Sequence, residues 1–244
     1  MAGVFKRTEK KYLLDPEKKK EFLNSLGDRA VPDIYGAYTI SNIYLDTEDN
    51  ELIRNSLDKP VYKEKLRLRS YLTPKAEDTV FLEMKKKWLG TVYKRRVELS
   101  YGEATAYLEK EIYPEARDCQ ILREIDYMIK YYRLRPDTFM AYDRRAYVVK
   151  EDEDIRFTID ERIRSRKTEL KLDKGDAGRE LLPSGMALLE IKAPGALPLW
   201  FTDILSELKI YSGSFSKYGK SYLRDVEERL LVESAMGEKG SAVA

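Results

Sequence analysis

The chain has 244 residues, 43% hydrophobic and 36% charged, which is enough apolar material for one substantial core beneath a heavily charged surface. Lys and Arg number 45 against 43 Asp and Glu; the resulting net charge of +2 argues against a generic nucleic-acid binder and leaves any basic site to local arrangement. One cysteine, Cys119, and no histidine exclude an internal disulfide, His-based nucleophile triads and His-ligated metals.

The opening residues, MAGVFKRTEKKYLL, hold no apolar run of signal-peptide length. No stretch approaches the roughly 18 apolar residues of a membrane span. A soluble, cytoplasmic protein is expected, in the reducing compartment that a lone cysteine suits.

Period-two alternation, which places every second side chain on one face of a strand, predicts strands over 4–12, 39–46, 62–71, 79–87, 92–101, 138–149, 155–162 and 186–193. Helices are predicted over 16–26, behind the Asp15-Pro16 start signal, and over 103–112, 119–133, 198–211 and 214–232. Residues 173–185 read as a loop and 233–244 as a disordered tail, leaving one domain over 1–232. Many strands with segregated helices indicate an α+β fold dominated by an antiparallel sheet.

The polar faces of these strands are unusual. Lys65, Arg67 and Arg69 share one face, opposite Leu66 and Leu68. Glu83, Lys85 and Lys87 oppose Leu82 and Met84; Lys94, Arg96 and Glu98 oppose Tyr93, Val97 and Leu99. Tyr142 and Arg144 share a face, as do Arg156, Thr158 and Asp160, and Glu190 and Lys192; the first strand adds Arg7, Glu9 and Lys11. One such strand is an ordinary half-buried strand with a solvated face. Several together, rich in the Arg that suits bidentate phosphate contact, are not. If the apolar faces pack on helices, the cationic faces converge and the sheet closes into an eight-stranded antiparallel barrel with the helices outside. Cations so crowded repel one another unless a multiply charged anion lies between them. A triphosphate or polyphosphate meets that demand.

The carboxylates Glu9, Glu83, Glu98 and Glu190 lie among the cations, either as salt-bridge partners or as ligands of Mg²⁺ or Mn²⁺, which take one or two carboxylates plus phosphate oxygens. The stretch Ser214 to Lys220 opens the last predicted helix, with Ser214 or Ser216 available as cap and Lys217 in its first turn. No Walker A, GxGxxG or kinase signature is present.

With these residues the chain resembles the catalytic domain of the vacuolar transporter chaperone (VTC) family, polyphosphate polymerases of the triphosphate tunnel metalloenzyme superfamily and relatives of the CYTH phosphatases. The similarity runs over roughly 4–225: Arg7, Glu9, Lys11 and Tyr12; Lys65, Arg67 and Arg69; Glu83 and Lys85; Lys94 and Arg96; Tyr142, Arg144 and Ala146; Arg156, Thr158 and Asp160; Leu189, Glu190 and Lys192; Ser216, Lys217 and Tyr218. The resemblance implies a metal-dependent phosphotransferase that passes the terminal phosphoryl group of ATP to a growing polyphosphate chain. It implies Lys11, Arg67, Arg69, Lys85, Lys94, Arg144 and Arg156 as phosphate ligands, Glu190 as a metal ligand, and Ser216 and Lys217 beside the transferred phosphate. Lys65, Arg96, Tyr142 and Lys192 complete the candidate phosphate and nucleotide set, and Glu9 the candidate metal set for Mn²⁺ or Mg²⁺.

One position departs from the family pattern, and another separates its two branches. Ser214 stands where members often carry a lysine, removing one cation near the reacting phosphate. Arg7 stands where the CYTH branch has a carboxylate, which favours the VTC branch over a triphosphatase. A non-catalytic polyphosphate or RNA module is the reading from another class; RNA would call for aromatics interleaved with the cations, and most of the 18 tyrosines fall on predicted helices or apolar faces. The expected partners are ATP and inorganic polyphosphate, without nucleic acid or direct membrane insertion, an unidentified membrane protein being a further candidate.

Overall fold

A computed structural model describes residues 8–241, with side chains described to residue 235. In chain order the elements are β1 (Thr8–Leu14), α1 (Pro16–Leu26), β2 (Ala30–Asp46), α2 (Glu51–Leu57), β3 (Tyr62–Tyr71), β4 (Thr79–Trp88) and β5 (Thr91–Ser100). There follow α3 (Tyr101–Lys110), α4 (Gln120–Tyr132), β6 (Arg135–Val149), β7 (Asp152–Arg166), the short β8 (Arg179–Glu180), β9 (Ala187–Ala193), α5 (Leu199–Glu207) and α6 (Lys217–Ser241). Arg7 and the start of the first predicted strand lie outside the described residues.

All strand pairs are antiparallel, in the order β1-β9-β7-β6-β2-β3-β4-β5, with β8 beside β7. The expected α+β architecture is present, but backbone pairing does not close the ring. Among the described residues the end strands β1 and β5 are not hydrogen-bonded to each other. The sheet nevertheless curls until Glu9 and Lys11 on β1 act electrostatically on Lys85 of β4, and Lys11 on Lys65 of β3. Along β1 the edge is met instead by a loop: the Gly213 N–H donates to the Lys11 carbonyl at 2.8 Å.

The apolar faces turn outward onto helices, as alternation requires. Leu66, Leu68, Leu82, Met84, Val97 and Leu99 pack with Tyr107 of α3 and Leu122, Ile125 and Met128 of α4. On the other flank Leu14, Ile155, Phe157, Leu189 and Ile191 pack with Phe22 of α1 and Phe201 of α5. Phe22, Phe157 and Phe201 meet edge to face at 5.7–5.9 Å. Each fully buried side chain of this size contributes about 1.5–3 kcal/mol of transfer free energy, so the helices lock the curl from outside.

Local signals set several boundaries. Asp15 accepts from the Lys18 N–H at 2.8 Å and starts α1 as expected. At α3 a Ser100–Glu103 capping box moves the start to Tyr101, ahead of the predicted 103. The β4–β5 connection is a two-residue turn in which Leu89 and Gly90 both have positive φ, the conformation that matches strand twist. α6 begins three residues later than predicted and runs to Ser241, past the expected end at 232.

Candidate functional site

The inward faces of the strands build one ionic network around the lumen of the curled sheet. Its centre is Lys217, the first residue of α6. The helix start is fixed by Ser216, whose Oγ accepts from the Gly219 N–H at 3.1 Å and from Lys65 Nζ at 3.2 Å. Gly219 lets this turn approach α2: a Cβ there would lie 3.0 Å from Leu57 Cδ2. Tyr218 anchors the turn from below. Its hydroxyl donates to Asp46 or Asp137 (2.8 Å to each), and its ring stacks on Tyr44 with centroids 4.4 Å apart. Asp46 in turn accepts the Leu52 and Ile53 N–H groups at 2.9 and 3.0 Å, so one buried carboxylate holds both α2 and α6.

Lys217 Nζ lies 2.8 Å from Glu190 Oε1 on β9, 2.6 Å from Asp160 Oδ2 on β7 and 4.6 Å from the Tyr142 ring centroid. Burial alone would lower its pKa; Asp160 and Glu190 override burial and raise it, so the ammonium stays charged. Arg144 binds Asp160 through two bonds, at 2.6 and 2.7 Å, and approaches Glu190 at 3.5 Å. Lys11 approaches Glu190 at 3.3 Å and donates to the Phe215 carbonyl at 3.1 Å. Burial would raise the Glu190 carboxyl, but Lys217, Lys11 and Arg144 hold it well below the usual range.

A second cluster sits on β3, β4 and β5. Glu83, 2% exposed, is gripped by Arg67 at 2.7 and 2.9 Å, by Lys94 at 2.6 Å and more loosely by Arg69 at 3.7 Å. Arg69 joins the clusters, donating to Asn42 and to the Tyr142 hydroxyl, both at 3.0 Å. Burial raises the Tyr142 phenol, and Arg69, Arg144 and Lys217 more than reverse it. Lys65, Lys85 and Lys11 stand near enough to repel one another. Burial, opposed by Tyr44 and reinforced by Lys63, Lys85 and Lys11, pushes the Lys65 ammonium down to about 8.

Lys11, Lys65, Arg67, Arg69, Lys85, Lys94, Tyr142, Arg144, Glu190, Ser216 and Lys217 therefore converge. Glu9 lies at the edge, 3.9 Å from Lys11. Lys192 is half-buried, in register with Glu9 and Arg156. Two expected cations share the inner face by register but stand apart from the two clusters. Arg156, near the start of β7, is exposed and turns back to the Glu153 carbonyl at 3.0 Å. Arg96 is exposed, 4.6 Å over the Phe81 ring and 3.9 Å from Glu98. The sequence reading assigned no role to Asp160, Asn42, Tyr44 or Asp46. Asp160 was visible as the last member of its alternating triplet, but its partners come from other strands and from α6.

The profile of the VTC domain matches residues 6–224. The chain belongs to the VTC domain family. A comparison with curated proteins returns no match. Among solved structures, this VTC domain is similar to a candidate adenylate cyclase of Bacillus halodurans, with TM-score 0.55 and 18% identity over 85% of this chain and 92% of that one. It is also similar to a candidate adenylyl cyclase of Hippeastrum, described as having a dominant triphosphatase activity, with TM-score 0.52 and 15% identity over 86% and 92% of the two chains. These likenesses establish the tunnel fold shared by CYTH-like proteins. No helix among the described residues is long and apolar enough to cross a membrane.

The superfamily implies a divalent metal. The donor set of this VTC domain fits a site completed by substrate rather than a preformed cage. Among the described residues no three carboxylate, Cys or His side chains cluster. Glu9 and Glu190 do share the Lys11 ammonium, at 3.9 and 3.3 Å. Glu9 and Glu190 supply two hard oxygen donors, the kind that a hard divalent cation takes together with phosphate oxygens.

Proposed function

We propose that this VTC domain is a metal-dependent polyphosphate polymerase that takes its phosphoryl groups from ATP. The observation that carries the reading is Lys217: a buried, charged ammonium fixed at a helix start in the centre of the inner ionic network. Phosphoryl transfer asks the protein for positioning and charge neutralisation rather than covalent chemistry. Lys11, Arg144, Arg69, Arg67, Lys94 and Lys85 form a cationic path along which successive phosphates can be held. Lys217, positioned by Ser216, neutralises the γ-phosphoryl oxygens. A terminal oxygen of the polyphosphate attacks Pγ, the bond from Pγ to the bridging oxygen breaks, and ADP leaves with that oxygen. Glu190, with Glu9, would hold a divalent ion, which supplies further neutralisation of the phosphate oxygens.

The test is incubation of the purified chain with ATP and Mn²⁺, resolving products by chain length. Polyphosphate longer than three phosphates is expected, lost in Lys217→Ala with ATP binding largely retained. Glu190→Gln should lose turnover at limiting Mn²⁺ while keeping most polyphosphate binding. ADP and orthophosphate as the only products would replace this reading with the triphosphatase one. Ser214 is exposed beside the loop that meets β1, and Ser214→Lys should raise the rate by restoring a cation near the helix start.

A further inference from the structure

The inner face carries a second kind of surface above the cations. Two residues beyond Arg69 on the same face of β3 lies Tyr71, and it belongs to a run of rings that crosses three strands. Tyr35 meets Tyr38 on β2 with centroids 6.3 Å apart, Tyr38 meets Tyr71 at 5.8 Å, and Tyr71 meets Phe81 of β4 at 5.7 Å, all edge to face. The Arg96 guanidinium closes the run 4.6 Å over Phe81.

Cross-strand aromatic pairs commonly serve only to stabilise a sheet. This ladder differs in two respects. It is open to solvent, with Tyr71 45% and Tyr35 73% exposed. It also begins at the anion site: Tyr38 is in register with Arg144, and its phenol feels the charges of both Arg144 and Asp160. A buried ionic cluster thus passes into a strip of rings, half-buried at Tyr38 and Phe81 and exposed at Tyr71, with one guanidinium over it.

We propose that the Tyr38–Tyr71–Phe81–Arg96 strip is a nucleobase shelf, on which the base of a nucleoside triphosphate stacks while its phosphates occupy the cationic path. This rests on reading the lumen as a triphosphate site. Aromatic rings and Arg planes bind the π-face of any base, and stacking carries no hydrogen-bond readout of base edges. The shelf therefore favours purines over pyrimidines and distinguishes adenine from guanine weakly. It also gives a role to Arg96, whose exposed guanidinium lies over the Phe81 ring. An inorganic polyphosphate has no use for the shelf, so donor and acceptor are told apart by it.

The experiment is calorimetric titration of the full chain with ATP, GTP, CTP and inorganic tripolyphosphate, in the wild type, Tyr71→Ala and Tyr71→Phe. Tyr71→Ala should weaken ATP and GTP about tenfold and leave tripolyphosphate unchanged. Tyr71→Phe should restore the purine affinity, since the ring and not the hydroxyl is required. Unchanged tripolyphosphate affinity also reports that the variant is folded. If tripolyphosphate binds but Tyr71→Ala leaves ATP unaffected, or weakens both equally, the shelf is overturned and the tunnel reading stands. If the wild type binds neither ligand, the tunnel reading fails and the shelf fails with it.

Discussion

Lys217 Nζ lies 2.6 Å from Asp160 Oδ2, with the carboxylate wholly buried and the lysine side chain 9% exposed. Asp160 also receives both bonds from Arg144. Together with Glu190, this carboxylate allows two cations to stand in a desolvated place. Removing one partner of a buried ion pair leaves the other uncompensated, at a cost of about 3–5 kcal/mol.

Asp160→Asn is therefore expected to lose stability on that scale in urea denaturation, and tripolyphosphate should recover a larger share in the variant than in the wild type. A loss below about 1 kcal/mol would mean that the pair is as weak as an exposed one.

Glu83 sets an acid limit. Burial would raise its carboxyl, but Arg67, Arg69 and Lys94 hold it at about 2, against an ordinary value of 4.5. A depressed carboxylate contributes stability that is present above the unfolded value and is lost as pH falls through the folded one. The window is thus from about 4.5 down to about 2, and the contribution on the order of 3 kcal/mol. In Glu83→Gln the stability curve should fall less steeply across that window; wild-type and variant curves of equal slope would contradict the assignment.

The cationic alternation was legible in the sequence because a strand has a strict period of two: Lys65, Arg67 and Arg69 could only share a face. The cap of α6 was legible only as a choice between Ser214 and Ser216; the structure uses Ser216. What escaped depended on partners distant in sequence. α2 is a short helix held by Asp46 from the end of β2, and nothing within residues 51–57 announces it. The first half of β2 was missed because Pro32 and Gly36 break the strand pattern; the structure accommodates them in a register shift between Pro32 and Ala37. Alternation paired Tyr142 with Arg144, but three other tyrosines escaped. Tyr38, Tyr44 and Tyr71 also line the inner face, since a ring on an inward face looks like a core residue until the curl of the sheet is known.

Lys65 couples binding to pH. Its ammonium titrates at about 8 in the free protein, and a phosphate nearby would favour the charged form and raise that value. Below 8 the lysine is charged in both states and affinity is flat. Above 8 binding must draw in a proton, so affinity falls as pH rises. Titrations of tripolyphosphate at pH 8.5 in buffers of different ionisation enthalpy should show proton uptake that disappears in Lys65→Met. Uptake of the same size in the variant would assign the proton elsewhere.

Gly219→Ala tests how tightly the reacting turn is fitted. Alanine favours a helix by about 1 kcal/mol over glycine. Here its Cβ would lie 3.0 Å from Leu57 Cδ2 and 3.2 Å from Ser216 Oγ, and overpacking costs about 1–3 kcal/mol. A net loss of about 1 kcal/mol is expected in urea denaturation, with a larger fall in turnover than in ATP affinity. A stabilised variant with full turnover would show that the turn has slack.

Among the described residues no backbone ladder spans the gap between β1 and β5, and the loop that meets β1 there is the one that leads into Lys217. Gly213 bonds the Lys11 backbone, Phe215 accepts from the Lys11 side chain, and two residues later comes the buried ammonium. Lys217 is thus placed by the segment that borders this open edge, and not by a strand of the sheet.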